Sequence, residues 1–281
     1  MKALVEVLTS TTRYLKERGV ASPRLDTELL LGHVLGLDRV QVYMQFDRPL
    51  TEPELESLRG LVRRRGNREP LAWVLGKRDF FEHSFRVGPG VLVPRPDTET
   101  LVEAALAWID ESPSFVADVC TGTGCIGLSV ALARPETKVF LTDLSPEALA
   151  CAKSNVEEHK LGSRVAVLRG DLLQPIPATR PIDWVLANPP YIPTADLAGL
   201  EPEVRDQEPR LALDGGSDGL DLYRRLIPDA ARRARRGLLV ELGAGQAPAV
   251  AELMREAGFI EVEAIKDLGG VERVVRGRRP A

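Results

Sequence analysis

From residue 115 onward, short apolar runs alternate with segments whose apolar residues recur at helical spacing. Strands that are separated by helices cannot be joined by tight hairpins, so they run parallel and the helices cover the faces of the sheet. The pattern therefore predicts a mainly parallel, doubly wound α/β sheet. Its predicted strands are residues 115–119, 139–142, 165–168, 182–187 and 238–242, with a terminal pair at 259–262 and 273–275.

A glycine-rich loop follows the first predicted strand and opens a helix. The loop comprises Cys120, Thr121, Gly122, Thr123 and Gly124. Glycines allow a tight turn and a close approach of the backbone to a ligand, and the amino end of a helix attracts anionic groups. The next strand ends in Asp143, about 20 residues further on, where a carboxylate can accept hydrogen bonds from ribose hydroxyls. A plain strand-to-helix turn would explain the glycines but not this acidic strand end.

Four residues, Asn188, Pro189, Pro190 and Tyr191, follow the apolar strand 182–187 and should lie at its carboxyl end. The prolines fix φ at two successive positions, and Asn188 is pushed towards an extended conformation because it precedes a proline. The Asn188 side-chain oxygen and the Pro189 carbonyl can then converge on one planar –NH2 group, with Tyr191 beside it. A proline-rich turn that caps the strand would also fit these four residues, which we call the Asn-Pro-Pro-Tyr motif.

The two motifs together resemble the signature of S-adenosylmethionine-dependent methyltransferases that modify an exocyclic or amide nitrogen. Two further segments narrow the resemblance to the PrmC/HemK family, which modifies an amide nitrogen. The cofactor half of the resemblance rests on Asp118, Thr121, Gly122, Thr123, Gly124 and Asp143. Residues 91–99 are similar to the family's "IPRPETE" segment, and residues 208–213 with 218–220 are similar to its "EPxxAL…DGL" segment. Two departures are Asp97, where glutamate is usual, and Cys120, where many members carry glycine.

The resemblance implies an enzyme that methylates the glutamine side chain in the Gly-Gly-Gln loop of class I peptide chain release factors. S-adenosylmethionine would be converted to S-adenosylhomocysteine. Asn188, Pro189, Pro190 and Tyr191 would bind the substrate and act in catalysis, and Asn188 would also border the cofactor. Cys120 to Gly124 and Asp143 would bind the cofactor, as would Asp171 and Leu172 after the third strand, against its adenine. An adenine or cytosine amino-methyltransferase acting on nucleic acid would use the same motif and stays as the alternative.

The resemblance also implies a seven-stranded Rossmann-like methyltransferase domain, with one antiparallel strand, preceded by a small all-α domain. Residues 1–76 are predicted to form this helical domain, which would dock the substrate. Residues 77–95 are predicted to be a β-hairpin connector, and residues 96–281 the methyltransferase domain. Near the end of the helical domain, Arg59, Arg63, Arg64, Arg65 and Arg68 form a basic cluster. It predicts either a solvated helix face or a contact with an acidic partner or RNA.

Charge argues against nucleic acid as the substrate. Residues 1–75 hold 12 Lys and Arg against 10 Asp and Glu, whereas the remainder holds 25 against 31. An acidic catalytic domain is a poor match for a phosphate backbone. The three cysteines form no C-x-x-C pair, which predicts a reducing cytoplasm and neither a disulfide nor a metal site. We expect a cytoplasmic monomer without a membrane span, whose partner is the release factor.

Overall fold

The computed structural model describes residues 2–280, which fall into two compact units. The first contains the chain up to Lys77 together with Glu201–Gln207, and the second contains Arg78–Leu200 and the chain from Glu208 onward. The sequence-based boundary at residue 76 thus missed one element of the first unit, because residues 201–207 lie far away in the sequence. No helix within residues 2–280 is both long and apolar enough to cross a membrane.

The first unit is built from five helices around an aliphatic core. Apolar residues of the first helix, including Leu4, Leu8 and Leu15, are buried at the predicted helical spacing. Glu54 accepts a hydrogen bond from the Thr51 backbone N–H at 2.8 Å, so a capping box starts the fourth helix. The helices are α1 (Leu4–Glu17), α2 (Pro23–Leu35), α3 (Arg39–Met44), α4 (Glu52–Gly66) and α5 (Leu71–Leu75), with a single helical turn at Pro202–Arg205.

A buried ion-pair network lies in this unit, where α2 faces α4. The apolar periodicity of α2 predicts that Leu25 faces the core, but Leu25 is exposed and Asp26 is buried in its place. Asp26 accepts a hydrogen bond from Nε of the buried Arg65 at 2.7 Å, and Nη2 of Arg65 lies 2.9 Å from Oε1 of Glu203. Arg68 pairs with the other oxygen of Glu203. A buried charge requires such partners, and their presence overrode the apolar pattern.

Two further arginines of the basic cluster form ion pairs within the first unit. Arg59 pairs with Glu52 and Glu56, and Arg64 pairs with Glu69. These ion pairs neutralise much of the charge that the sequence presents as a run of arginines. Four of the five arginines of the cluster are thus paired with carboxylates, whereas Arg63 is exposed, and the role of the cluster stays a prediction.

The second unit carries a short hairpin and a seven-stranded sheet. The hairpin strands are β1 (Lys77–Phe80) and β2 (His83–Arg86), joined by Phe81 and Glu82, both at positive φ. The sheet strands are β3 (Phe115–Val119), β4 (Lys138–Asp143), β5 (Val165–Arg169), β6 (Ile182–Ala187), β7 (Ala234–Glu241), β8 (Ile260–Lys266) and β9 (Glu272–Arg278). The helices are α6 (Glu99–Leu106), α7 (Cys125–Ala133), α8 (Pro146–Glu158), α9 (Asp221–Arg233) and α10 (Ala247–Glu256).

The strand order is β5-β4-β3-β6-β7-β9-β8, and β9 runs antiparallel to both of its neighbours. The predicted seven-stranded sheet with one antiparallel strand is thereby confirmed. Alternate residues of β6 enter two cores: Trp184 and Leu186 pack on one face, and Val185 and Ala187 on the other. All six residues of β6 are buried, which explains why every one of them except Asp183 is apolar.

The strand order reverses between β3 and β6, which are hydrogen-bonded neighbours in parallel register. In open α/β sheets, ligands bind at the carboxyl ends of the strands where the order reverses. The glycine-rich loop follows β3, and the Asn-Pro-Pro-Tyr motif follows β6. The topology therefore brings the two motifs to the same edge of the sheet, although more than 60 residues separate them in the sequence.

Candidate active site

A cavity of about 640 Å³ opens at this edge of the sheet. Its volume lies within the range of small-molecule and cofactor sites. The predicted site residues that line it are Cys120, Thr121, Gly122, Thr123, Asp143, Asp171, Leu172, Asn188 and Pro190. Gly124, Pro189 and Tyr191 are not among its lining residues. The structure thus brings most of the predicted cofactor residues together with two members of the Asn-Pro-Pro-Tyr motif.

Asp143 shapes the glycine-rich loop. One carboxylate oxygen accepts a hydrogen bond from the Gly122 N–H at 2.9 Å, and the other accepts from the Ser145 N–H, also at 2.9 Å. Burial raises the pKa of Asp143, although these backbone donors act in the opposite direction. An ionised carboxylate has about four lone-pair positions. The backbone N–H groups of Gly122, Ser145 and Leu144 do not use all of these positions, so Asp143 can still accept a hydrogen bond from a ribose.

Asp118, near the end of β3, supports the glycine-rich loop through hydrogen bonds, including one with Thr121 three residues later. Its Oδ2 accepts from the Thr121 hydroxyl at 2.6 Å and from the Gly127 N–H at 2.9 Å, whereas Oδ1 is buried and has no partner among residues 2–280. Burial raises the pKa of Asp118 to about 7. Gly124 begins α7 with φ of 84°, a left-handed conformation that glycine adopts without steric cost.

Two lining residues other than glycine, Cys120 and Leu172, have φ of 58° and 49°. Each such conformation costs roughly 1–3 kcal/mol and persists only where the surroundings hold it. The Thr142 hydroxyl donates to the Leu172 carbonyl at 2.8 Å and is one such restraint. Backbone strain at two points of one cavity is typical of a ligand site.

Asp171 lines the cavity and forms an ion pair with Arg225, which also lines it. This partner was not predicted, because Arg225 lies on α9, 54 residues further along the chain. The contact of Asp171 with an adenine amino group stays a prediction. Because Oδ2 of Asp171 pairs with Arg225, Oδ1 is the atom that would accept from the adenine. The apolar side chains of Leu144 and Leu222 line the same cavity.

The Asn188 side chain is held at its amide nitrogen. Nδ2 donates to the Thr98 hydroxyl at 3.2 Å, and the Asn188 side chain lies close enough to the Glu241 carboxyl to lower its pKa. The side-chain oxygen of Asn188 is then the group that remains for a ligand. Tyr191 is fixed through its backbone, since its carbonyl accepts from Nε2 of Gln246 at 2.9 Å.

Sequence reasoning missed Thr98, Glu241 and Gln246. A weak signal exists for Glu241, which ends an apolar strand as Asp143 does. Thr98 and Gln246 carry no such signal, because their partners are set by the packing of the loops around β6 and β7.

Buried thiols and the Tyr191 phenol stay neutral at this site. Burial raises the pKa of the Cys120 thiol well above its usual range, and that of Cys125 to about 12. Burial and the nearby Glu241 raise the pKa of Tyr191 to about 12. Because a thiolate, and not a thiol, is the nucleophile, the geometry does not favour covalent catalysis by cysteine.

Gly219 allows the segment before α9 to lie against the Asn-Pro-Pro-Tyr motif. Its φ is 78°, and a Cβ added there would come within 2.2 Å of the Tyr191 carbonyl oxygen.

We expect Gly219→Ala to displace Tyr191, to lower the free energy of unfolding by about 1–3 kcal/mol and to reduce turnover. Gly199→Ala is the control, because a Cβ at Gly199 meets nothing within 4 Å. Urea unfolding and initial rates would test this, and equal rates for both variants would contradict it.

Two family descriptions match the chain. Residues 6–76 match the family described as PrmC N-terminal domain, and residues 98–199 match the family described as Methyltransferase small domain. The release factor glutamine methyltransferase of Geobacter sulfurreducens is 47% identical over 275 residues, covering 97% of this chain and 95% of its own length. The protein of the same name from Moorella thermoacetica is 41% identical and covers 96% of each chain.

Solved structures show similarity of fold at low sequence identity. The hMettl16 catalytic domain in complex with MAT2A 3′UTR hairpin 6 aligns with a TM-score of 0.57 and 16% identity, over 82% of this chain and 83% of that one. A methyltransferase from Pyrococcus furiosus aligns with a TM-score of 0.51 and 16% identity, over 70% of this chain and 89% of that one. At this identity the likeness supports the fold alone.

Proposed function

The chain belongs to the release factor glutamine methyltransferase family, and we propose that it methylates the glutamine of the Gly-Gly-Gln motif in class I peptide chain release factors. The methyl donor in this proposal is S-adenosylmethionine, and the acceptor is the side-chain amide nitrogen. The observation that carries the proposal is the position of Asn188 on the same cavity as the glycine-rich loop and Asp143. One cavity can therefore accept a nucleoside cofactor and an amide together.

The residues of the cavity suit S-adenosylmethionine. In the proposal, Asp143 accepts hydrogen bonds from the ribose hydroxyls, and the loop Cys120 to Gly124 lies along the amino-acid part. Asp171 and Leu172 are assigned to the adenine. When bound, the cofactor supplies a methyl group that its sulfonium has already activated as an electrophile.

An amide nitrogen is a poor nucleophile because its lone pair is delocalised into the carbonyl. The protein must therefore align nitrogen with methyl carbon, an orientation effect worth up to about 7–11 kcal/mol. We assign Asn188 Oδ1 and the Pro189 carbonyl to the two N–H groups of the substrate amide. These acceptors hold the substrate amide in place. They also increase the electron density on the amide nitrogen as that nitrogen becomes tetrahedral. Pro190 stiffens the turn, and Tyr191 flanks the amide.

As the N–CH3 bond forms and the S–CH3 bond breaks, the amide nitrogen becomes acidic and its proton leaves to water. The motif contains no general base, and this sequence of events does not require one. Two acceptors also discriminate against glutamate, whose ionised side chain has no protons to donate. A site built for specific hydrogen bonds can reject an analogue that lacks them by about 10⁴-fold or more.

The proposal is tested by transfer of tritium from labelled S-adenosylmethionine to purified release factor, tRNA, rRNA and DNA in parallel. We expect label in the release factor, and loss of that label when its Gly-Gly-Gln glutamine is replaced. Label in a nucleic acid and none in the release factor would favour the amino-methyltransferase alternative. Neither the acidic second unit nor the names of the relatives favours that alternative.

We also propose that the helical unit docks the release factor. A glutamine side chain is too small to identify one protein, so specificity needs a wider surface, and stable specific interfaces bury about 1,200–2,000 Å². On α3, Val40 and Met44 are apolar and largely exposed, with 67% and 79% of their surface accessible. Exposed apolar side chains close together are typical of interaction surfaces. A cytoplasmic location and a monomeric state are further parts of the proposal.

Met44→Asp is expected to raise KM for intact release factor about fivefold or more, because it places a charge in the docking surface. The value of kcat and the affinity for S-adenosylmethionine should not change. Leu268→Asp is the matched control, since Leu268 is a fully exposed apolar residue of the second unit. Steady-state kinetics with purified release factor would measure the effect. An unchanged KM for both Met44→Asp and Val40→Asp would contradict docking through α3.

A further inference from the structure

We infer that Glu241 is a positioning residue for methyl transfer, whose carboxylate holds the Asn188 amide in the orientation that presents Oδ1 to the substrate. The inference rests on the proposed function, because it assigns Asn188 Oδ1 to the substrate amide. It adds a residue from β7 to a site that the sequence motifs place only on the loops after β3, β4, β5 and β6.

The register of β6 and β7 places the side chains of Asn188 and Glu241 next to each other. Ala187 of β6 pairs with Val240 of the parallel strand β7, so the next residues, Asn188 and Glu241, are neighbours at the carboxyl ends. Glu241 is 1% exposed, and the donor groups of the Asn188 and Thr98 side chains lower the pKa of its carboxyl, as donors close to a carboxylate do. Thr98 also accepts a hydrogen bond from Asn188 Nδ2, so the three side chains form a triangle at the strand ends.

This triangle decides which end of the Asn188 amide meets the substrate. If the amide flipped, its oxygen would face the Glu241 carboxylate and its –NH2 group would face the –NH2 group of the substrate. Both contacts would be repulsive, so a negative charge at Glu241 disfavours the flipped state. In the observed orientation, a carboxylate at the N–H end also polarises the amide and strengthens Oδ1 as an acceptor, as hydrogen bonds in a chain do.

The strand end itself is rigid, which makes the position of Glu241 reproducible. The Tyr223 hydroxyl donates to the Glu241 backbone carbonyl at 2.7 Å. On the other side, β9 pairs with β7 and brings Arg273 near, and Arg273 is itself held by Asp97 at 3.0 Å and Asp267 at 2.8 Å. Oε2 of Glu241 is buried and has no hydrogen-bond partner in the described part of the chain.

The charge on Glu241 changes near neutral pH. The pKa of Glu241 is raised to about 7, because burial and, to a smaller extent, the Asp97 carboxylate raise it by more than Thr98, Arg273 and Asn188 lower it. The nearby phenols of Tyr191 and Tyr223 stay neutral, because burial raises their pKa values. Since the ionised carboxylate is the form that orients Asn188, kcat should be low below pH 6, rise through pH 7 and level off above pH 8.

The test uses the full-length enzyme and intact release factor. We expect Glu241→Gln to reduce kcat about tenfold at pH 8, to abolish the rise of kcat with pH and to change KM and cofactor affinity by less than twofold. Glu241→Ala should lose more activity than Glu241→Gln. Glu263→Gln is the control, because Glu263 lies on β8 and pairs with Arg276 away from the cavity. A Glu241→Gln enzyme with the kcat and pH profile of the wild type would overturn the inference.

A second measurement does not depend on activity. The side-chain ¹H–¹⁵N signals of Asn188, assigned by their loss in Asn188→Ala, should shift with an apparent pKa near 7 in the wild type and stay constant in Glu241→Gln. Identical titrations in the two proteins would refute the contact even if Glu241→Ala does not fold. If the wild type labels no release factor but the Asn188 signals titrate as expected, the proposed function fails and the role of Glu241 towards Asn188 stands.

Discussion

Asn188→Ala is expected to reduce kcat by about 10²–10³-fold, the cost of removing one group that stabilises a transition state. Asn188 presents the side-chain acceptor of the cavity, its nitrogen donates to Thr98, and the Glu241 carboxyl lies beside it. The Ala side chain leaves the backbone of the motif in place, because Pro189 and Pro190 restrict it. The fold and much of the cofactor affinity should therefore survive. Single-turnover transfer of label from S-adenosylmethionine measures the rate, and isothermal titration calorimetry measures the affinity for the cofactor.

Asn188→Asp is the informative comparison, because it keeps an acceptor and removes the –NH2 group. We expect it to retain more activity than Asn188→Ala. The advantage should be clearest near pH 6, where a protonated Glu241 can donate to the new carboxylate instead of repelling it. Equal rates for the two variants across this pH range would show that the acceptor role is wrong.

Asp143→Ala is expected to weaken S-adenosylmethionine binding by about 1.5–3 kcal/mol, or about 10- to 150-fold, because the ribose loses a charged acceptor. The same change releases the Gly122 and Ser145 N–H groups, so part of the loss comes through the glycine-rich loop. Asp143→Asn keeps one acceptor oxygen and should bind more tightly than Asp143→Ala. Isothermal titration calorimetry measures the affinities.

Asp183→Ala provides the control for this experiment. Asp183 also accepts a hydrogen bond from a backbone N–H, that of Phe115 at 2.8 Å, but it does not line the cavity. Its loss should lower stability without changing cofactor affinity. Unchanged affinity in Asp143→Ala, or an equal loss in Asp183→Ala, would mean that the ribose lies elsewhere.

The fold and the two motifs could be predicted because each depends on local sequence. Asp143 and Asn188 both end apolar strands, and parallel strands present their carboxyl ends at one edge of the sheet. The alternation of strands and helices is also a local pattern, and it predicted a mainly parallel sheet, whereas the antiparallel strand was implied by the family resemblance. That Asn188 and Gly122 line one cavity then follows from the neighbouring positions of β3 and β6.

The unpredicted features depend on contacts between distant residues. Thr98 meets Asn188 across 90 residues, and Arg65 meets Glu203 across 138. The periodicity of α2 predicted a buried Leu25, but the ion pair of Asp26 with Arg65 decided which side of the helix turned inward. Apolar periodicity does not reveal polar networks of this kind, because the residues that pair can lie anywhere in the sequence.

The ion pair of the buried Arg65 joins two separate stretches of the sequence within the helical unit, which matters for the design of chimaeric enzymes. One of its two carboxylate partners, Glu203, is carried by the segment between β6 and α9 rather than by the first 77 residues. A chimaera that exchanged residues 1–77 for those of a relative would therefore replace Arg65 while it kept Glu203, and Glu203 would lose this partner. Loss of one member of a buried ion pair costs about 3–5 kcal/mol. Transplanting substrate specificity between relatives should accordingly require two grafts, residues 1–77 and residues 201–207, inserted together.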